Sequence, residues 1–259
     1  MSLFNEQLRQ VFFDTRRKSK SIYQKETEAL IQATKLYEDA SLLSVEYSPT
    51  QTIEFINIGT INAGLAGLKE SKKVAILNFA DAYEAGGLVF DGFPTQEECL
   101  CRCTNLYESL VKDECLQGYY EFNRNLDSDS FSDRLIYSPN VLVIKDESYR
   151  DLDNPQFLDV ITIPFPLVTG ATEEIYKKRV ECILKSAVDN SVEYLVLGAI
   201  GCGAFGNPVE EVAKAFAGVL STHKYIPKIV FAIRETEGSS NDNTFSLFKD
   251  VFCKHYKEG

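Results

Sequence analysis

Hydrophobic positions recur at two spacings along this chain, and the alternation between them outlines its elements. From Leu3 to about Ser19, Leu8, Val11 and Phe12 fall on one stripe and predict an amphipathic helix. Arg16, Arg17 and Lys18 at its end suit the negative pole of a helix dipole and read as a solvated terminus rather than a phosphate site. Lys25 to Tyr37 is rich in helix formers, although Ala29 to Ile31 would also pair as a strand. Thr52 to Ile58 alternates and is β-branched, which predicts a strand. Gly59 then leads into a short helix, Thr60 to Leu68, with Asn57 and Asn62 in local capping roles. Val74 to Phe79 is the nearly unbroken apolar run of a strand buried on both faces. Asn78 interrupts it, and an amide there needs partners, from the backbone or from a ligand loop that it helps to hold.

The loop Ala80–Thr95 leads to a helix from Gln96 that aligns Cys99, Cys103, Leu106 and Leu110 on one face. The polar stretch Gln117 to Arg134 predicts a long surface loop. Val141 to Lys145 and Leu158 to Pro164 read as strands, the second stopped by Pro164-Phe165-Pro166. Glu173 to Asn190 is a helix with Ile175, Val180, Ile183, Leu184 and Val188 facing a core, and Tyr194 to Ile200 is a further buried strand. Past the turn Gly201–Asn207, Pro208 opens a helix that Asn207 would cap. Lys228 to Arg234 is the last strand, and Asn243 to Tyr256 a closing helix. Strands alternating with helices predict a three-layer α/β/α fold. The expectation is a single domain over 1–259 with a helical extension over about the first 50 residues.

Composition narrows the function. A net charge of −11 argues against general nucleic-acid binding, and for recognition of one unit or one end of an anionic polymer rather than its length. No apolar run approaches a membrane span and the N-terminus lacks a signal-peptide core, so neither a membrane nor a secretory route is expected. Seven cysteines at this length fit a reducing compartment, and the expected location is cytoplasmic. Cys99-x-Cys101-x-Cys103 lacks zinc spacing, and neither His223 nor His255 lies in a partner motif, so core cysteines and no metal are expected.

Two loops carry candidate chemistry. Gly86-Gly87 allows the main chain to approach a ligand closely, and Gln96-Glu97-Glu98 follows it at a helix start. On local grounds Thr95-x-x-Glu98 is a capping box, with Glu98 reaching back to the Thr95 N–H. The second loop, Gly201-Cys-Gly-Ala-Phe-Gly-Asn207, joins a strand to a helix N-terminus and suits a diphosphate. Glu210 and Glu211 must face away for that to hold, and the Gly-Lys-Ser/Thr ending of a nucleoside-triphosphate loop is missing. Both loops follow strand ends, where ligands collect in such folds, and the expectation is that they serve one site.

The glycine pair, the spacer, Gln96-Glu97-Glu98 and the later GCGAFGNP resemble the microbial-type poly(ADP-ribose) glycohydrolases, relatives of the macrodomain. Tyr137-Ser138-Pro139, Asp159–Thr162 and Leu195–Gly198 extend the resemblance over most of the chain, to about Arg234. It implies a macrodomain-like fold with a mixed central sheet and no cofactor. It implies release of ADP-ribose from a poly(ADP-ribose) chain end or from an ADP-ribosylated protein or other acceptor, through an oxocarbenium-like state. A non-catalytic ADP-ribose-binding module is the alternative. Carried over by motif, Glu98 is the acid/base, Glu97 holds a ribose and Gln96 supports them. Asn78, Asp81, Gly86 and Gly87 join the substrate site. Gly201, Gly203, Ala204, Gly206 and Asn207 hold the diphosphate, and Phe205 packs on the distal ribose; a core phenylalanine is the local alternative. The chain departs from the family at Leu88, where a third glycine is usual, at Asp81, where Asn is frequent, and at Leu167, where Pro-x-Pro ends in Asn.

Overall fold

The computed structural model describes residues 2–235 and 243–258. The fold is α/β, with seven strands in a mixed sheet. The strands are β1 (Lys35–Tyr37), β2 (Thr52–Ile56), β3 (Val74–Ala80), β4 (Leu135–Lys145), β5 (Asp151–Pro164), β6 (Tyr194–Leu197) and β7 (Lys228–Ala232). The helices are α1 (Leu3–Ser21), α2 (Gln24–Ala33), α3 (Thr60–Gly67), α4 (Gln96–Cys103), α5 (Leu106–Leu110), the single turns α6 (Asp113–Cys115) and α7 (Phe122–Arg124), then α8 (Glu173–Asp189), α9 (Val209–Thr222) and α10 (Thr244–Glu258). Among the described residues no helix is long and apolar enough to cross a membrane.

The chain divides into two compact units, and β3 contributes residues to both. The first comprises the residues up to Tyr37, Asn78–Asp127 and Arg134–Pro164. Here β4 pairs antiparallel with β1 and with β5, the second ladder shifting register between Ser138 and Val141 and between Val143 and Lys145. Helix α1 is fastened by its buried Thr15, whose hydroxyl donates to the Arg102 carbonyl at 2.5 Å, and by Arg16, which bonds Glu108 at 2.7 Å and lies 4.6 Å over the Tyr107 ring. The second unit comprises Glu38–Leu77, Ser128–Asp133 and the chain from Phe165 on. Its strands pair in parallel, β3 with β6, β6 with β7 and β7 with β2, and its core joins apolar side chains of β3, β6 and β7 to those of α8, α9 and α10.

Four elements differ from the sequence reading. In the stretch Lys25–Tyr37, Ala29 to Ile31 is helical within α2 and not a strand, and the strand of this stretch is β1 at its end. The helix expected to run from Gln96 through Leu110 breaks after Cys103. Thr104 is extended (φ −136°, ψ 169°) and bridges to Val143, and the Asn105 carboxamide accepts the Leu142 N–H at 2.8 Å. Tertiary pairing with β4 thus outweighs helical continuity at two residues that favour local side-chain bonds. The stretch expected to be a surface loop from Gln117 contains a π-helical turn, Leu116–Glu121, followed by α7. Tyr119, Tyr120 and Asn123 are fully buried there, and Gly118 lies where an added Cβ would stand 2.3 Å from Leu36 Cδ2. Finally, β4 and β5 are longer than their apolar runs suggested: the start of β4, residues 135–138, pairs with β1 and with the apolar half of β5, and the polar start of β5 pairs with the apolar half of β4.

Candidate active site

The end of β3 and the start of α4 meet inside the first unit. Asn78, wholly buried in β3, donates its amide to Glu97 Oε1 at 3.1 Å and to Thr162 Oγ1 at 3.2 Å. The Asp81 N–H donates to Glu97 Oε2 at 2.8 Å, and the Phe79 N–H to Gln96 Oε1 at 2.9 Å. Glu97 and Gln96 are therefore tied to the strand end by one hydrogen-bonded set. The Leu88 N–H donates to Glu98 Oε1 at 2.9 Å, and the Thr95 hydroxyl donates to Glu98 Oε2. Thr95 is the N-cap residue of α4, but Glu98 meets its hydroxyl, not its N–H as in the expected capping box.

Gly86 (φ 74°) and Gly87 (φ 58°) both occupy the left-handed region. At Gly87 a Cβ would stand 2.6 Å from Glu98 Oε1 and 3.1 Å from Glu97 Oε2, so two carboxylates pack where a side chain would be. Leu88 has φ −94°, which any residue adopts, and its side chain is exposed; that explains how the chain carries leucine here. Asp81 Oδ1 accepts the Tyr83 and Glu84 N–H groups at 2.6 and 2.8 Å, which spends one of its oxygens on its own turn. Two contacts lay outside the sequence reading: Tyr119 donates to the Asp81 carbonyl at 3.3 Å, and Arg124 to the Tyr83 carbonyl. Both come from the segment read as a surface loop, whose composition carries no signal of that packing.

Burial drives the Glu97 carboxyl well above its ordinary range, and the charges of Glu98 and Asp81 add to the shift against the bonds from the Asp81 N–H and Asn78. A raised carboxyl means that the folded chain binds this proton more tightly than the unfolded chain. Its stabilising effect is complete below the unfolded value, near 4.5, and is lost as pH rises through the folded value. Glu97→Gln is therefore expected to raise the melting temperature at pH 8 by about 2–4 °C, the shift that ~1 kcal/mol produces in a chain of this size. The gain should shrink toward pH 5, as thermal unfolding across that range would show. The Asn78 amide accommodates a neutral partner: its Oδ1 has no hydrogen bond, and a turn of the amide presents it to a protonated Glu97 or to glutamine.

The second glycine loop lies in the second unit. Gly201 (φ 77°) and Gly206 (φ 72°) bend it, and a Cβ on Gly201 would stand 2.6 Å from Asn207 Nδ2. The buried Asn207 donates to the Pro166 carbonyl at 2.8 Å and the Gly201 carbonyl at 3.0 Å, and accepts the Tyr176 hydroxyl at 2.6 Å. It closes the loop, whereas the sequence reading expected it to cap α9; the N-cap residue is Pro208. The N–H groups of Cys202, Gly206 and Asn207 are spent within this region. Those of Gly203, Ala204 and Phe205 have no partner among the described residues, and Gly203 and Ala204 are exposed. Phe205 is half-buried against Phe131. Glu210 and Glu211 are exposed, and Glu211 pairs with Lys214 at 2.8 Å.

All seven cysteines are free thiols, with Cys101 and Cys103 buried in α4. Among the described residues no group of three or more His, Cys, Asp or Glu is placed to hold a metal ion.

The family model for the microbial-type PARG catalytic domain matches residues 5–146, which include the whole Gly86–Glu98 constellation. The chain belongs to this family. Its members are glycosidases, and the enzyme class follows from membership. No curated protein matches. Solved structures do. Poly(ADP-ribose) glycohydrolase from Deinococcus radiodurans, in complex with ADP-ribose, is 28% identical; the match covers 89% of this chain and 98% of that one, with a TM-score of 0.80. The enzyme from Thermomonospora curvata is 25% identical over 96% of this chain and 99% of that one, with a TM-score of 0.83. The same enzyme bound to the inhibitor ADP-HPD is 26% identical over 96% and 99%, with a TM-score of 0.82. The enzyme solved with ADP-ribose thus shares this fold along nearly its full length.

Proposed function

We propose that the chain hydrolyses the glycosidic bond at the distal ribose of poly(ADP-ribose), or of an ADP-ribosylated acceptor, and releases ADP-ribose. The observation that carries this reading is the carboxylate pair in the first turn of α4: Glu97 tied to β3, and Glu98 held by the Leu88 N–H and the Thr95 hydroxyl, both packed on Gly87. Family membership supports reading that geometry as glycosidase chemistry.

In this mechanism Glu98 protonates the oxygen that leaves with the acceptor as the bond to the anomeric carbon breaks. The resulting carboxylate then takes a proton from a water that attacks the oxocarbenium-like carbon, and the ribose regains a hydroxyl. The Thr95 hydroxyl suits both states of Glu98, because it can donate to a carboxylate and accept from a carboxylic acid. Glu97, fixed at both oxygens, orients a ribose hydroxyl. The free N–H groups of Gly203, Ala204 and Phe205 would bind the diphosphate, with the Phe205 ring on a ribose.

One observation favours the binding-module reading: both Glu98 oxygens accept hydrogen bonds from the protein itself. Incubation with defined poly(ADP-ribose) and with a mono-ADP-ribosylated protein, with free ADP-ribose read by mass spectrometry, separates the two. Release from either substrate supports the hydrolase and identifies its acceptor. Calorimetric binding of ADP-ribose without release from either supports the module.

A further inference from the structure

The segment Ser128–Asp133 belongs to the second unit and is held there more firmly than its composition suggests. The Asp129 carbonyl accepts the Leu167 N–H at 2.8 Å, and the Thr169 hydroxyl donates to its carboxylate. Gly170 leaves room for it, since a Cβ there would stand 2.4 Å from the Asp129 carbonyl carbon. From α8, the buried Arg179 donates to the Ser130 carbonyl at 2.7 Å and to Asp133, which Lys178 also pairs at 2.6 Å. These anchors hold Phe131 at φ 55°. A bulky residue in the left-handed region is strained, and such strain persists only where the surroundings over-determine it.

What the strain holds in place is one ring. Phe131 is buried, and its centroid lies 6.0 Å from that of Phe205 at an interplanar angle of 59°. Val168, next to Leu167, ties the glycine loop, since its N–H donates to the Phe205 carbonyl at 3.0 Å. Leu167 and Val168 thus fasten the strap Ser128–Asp133 and the glycine loop to adjacent peptide groups. Phe205 is only half-buried, and Gly203 nearby has open space on its Cβ side.

We infer that Phe131 is a positioning residue for ADP-ribose binding: its constrained ring fixes the orientation of Phe205, so that Phe205 presents a prepared face to the ribose. The inference rests on the reading of Phe205 given above. It assigns Arg179 a supporting role, as the cation that pins the strap on both sides of Phe131.

A double-mutant cycle on ADP-ribose affinity tests it by calorimetry. Phe131→Ala is expected to weaken binding by about three- to tenfold, the range of one lost aromatic pair. Phe205→Ala should weaken it at least as much, and the double variant no further than Phe205→Ala alone. In turnover, Phe131→Ala should raise KM and leave kcat nearly unchanged. Phe131→Gly relieves the backbone strain, so it provides a folded chain without the ring even where Phe131→Ala is too unstable to assay. If Phe205→Ala weakens binding while loss of the Phe131 ring does not, or the two effects add in full, Phe131 is only a core residue and the inference fails. If Phe205→Ala leaves affinity unchanged, the underlying reading of Phe205 fails, and the positioning role with it.

Discussion

Gly87→Ala is expected to lower kcat/KM by about a hundredfold while the chain stays folded, the cost typical of a catalytic group displaced by about an ångström. The methyl group would stand 2.6 Å from Glu98 Oε1 and 3.1 Å from Glu97 Oε2, closer than van der Waals contact allows. The backbone at φ 58° adds strain of its own for alanine. Neither carboxylate can yield without loss. Glu97 is held at both oxygens by Asn78 and the Asp81 N–H, so the displacement falls on Glu98 and on its bond from Leu88. Steady-state kinetics with thermal unfolding in parallel would check this. A near-normal kcat/KM with a lowered melting temperature would show that Gly87 serves the turn rather than the carboxylates.

Gly86→Ala makes an instructive contrast. A Cβ there would meet the Tyr107 ring at 3.0 Å and Cys101 Sγ at 3.1 Å, groups that pack beneath the loop. The same substitution one residue earlier should therefore act mainly through stability. Two neighbouring glycines, both with positive φ, are separated by what stands on their empty side.

How much of this was legible beforehand depended on whether the signal was local. The strand β3, its one polar position at Asn78, the glycine pair and Gln96-Glu97-Glu98 were all read from adjacent residues; the structure hydrogen-bonds the strand end to Gln96 and Glu97 and packs Gly87 against both carboxylates. The resemblance to a glycohydrolase family rested partly on the glycine pair and Gln96-Glu97-Glu98, which the family match covers, and partly on Gly201–Pro208, which lies beyond the matched residues 5–146. The role of Asn78 was left between partners, and its burial resolves it in favour of Glu97 and Thr162. What could not be read came from far along the chain. Tyr119 and Tyr120 lie in a polar run, and only tertiary packing buries them. Thr104 breaks a helix because β4 offers it a pairing partner. Asn207 has the composition of an N-cap, yet Pro166 and Tyr176 draw its amide elsewhere. Asp81 was read as open to a ligand, and half of its carboxylate stabilises a turn two residues on.

Glu98→Gln is the other substitution with a large expected effect. Glutamine keeps the size of the side chain and one carbonyl oxygen, so it can still accept the Leu88 N–H, and its amide can donate to the Thr95 hydroxyl oxygen. Folding should be preserved and ADP-ribose affinity should change little, since neither depends on proton transfer. Glutamine cannot protonate a leaving oxygen or deprotonate water. Loss of general acid/base catalysis costs about 10²–10⁴ in rate, and the fall should appear in kcat rather than in KM.

The central claim is that Glu98 performs the chemistry, and one measurement tests it most directly. The rate of ADP-ribose release is measured by mass spectrometry for the wild-type chain and for Glu98→Gln, on whichever ADP-ribosylated substrate the wild type cleaves, in preparations matched for melting temperature and ADP-ribose affinity. The account predicts binding retained and release reduced at least a hundredfold. Release at the wild-type rate from the substituted chain would contradict it, leaving Glu98 as a residue that shapes the start of α4 and no more.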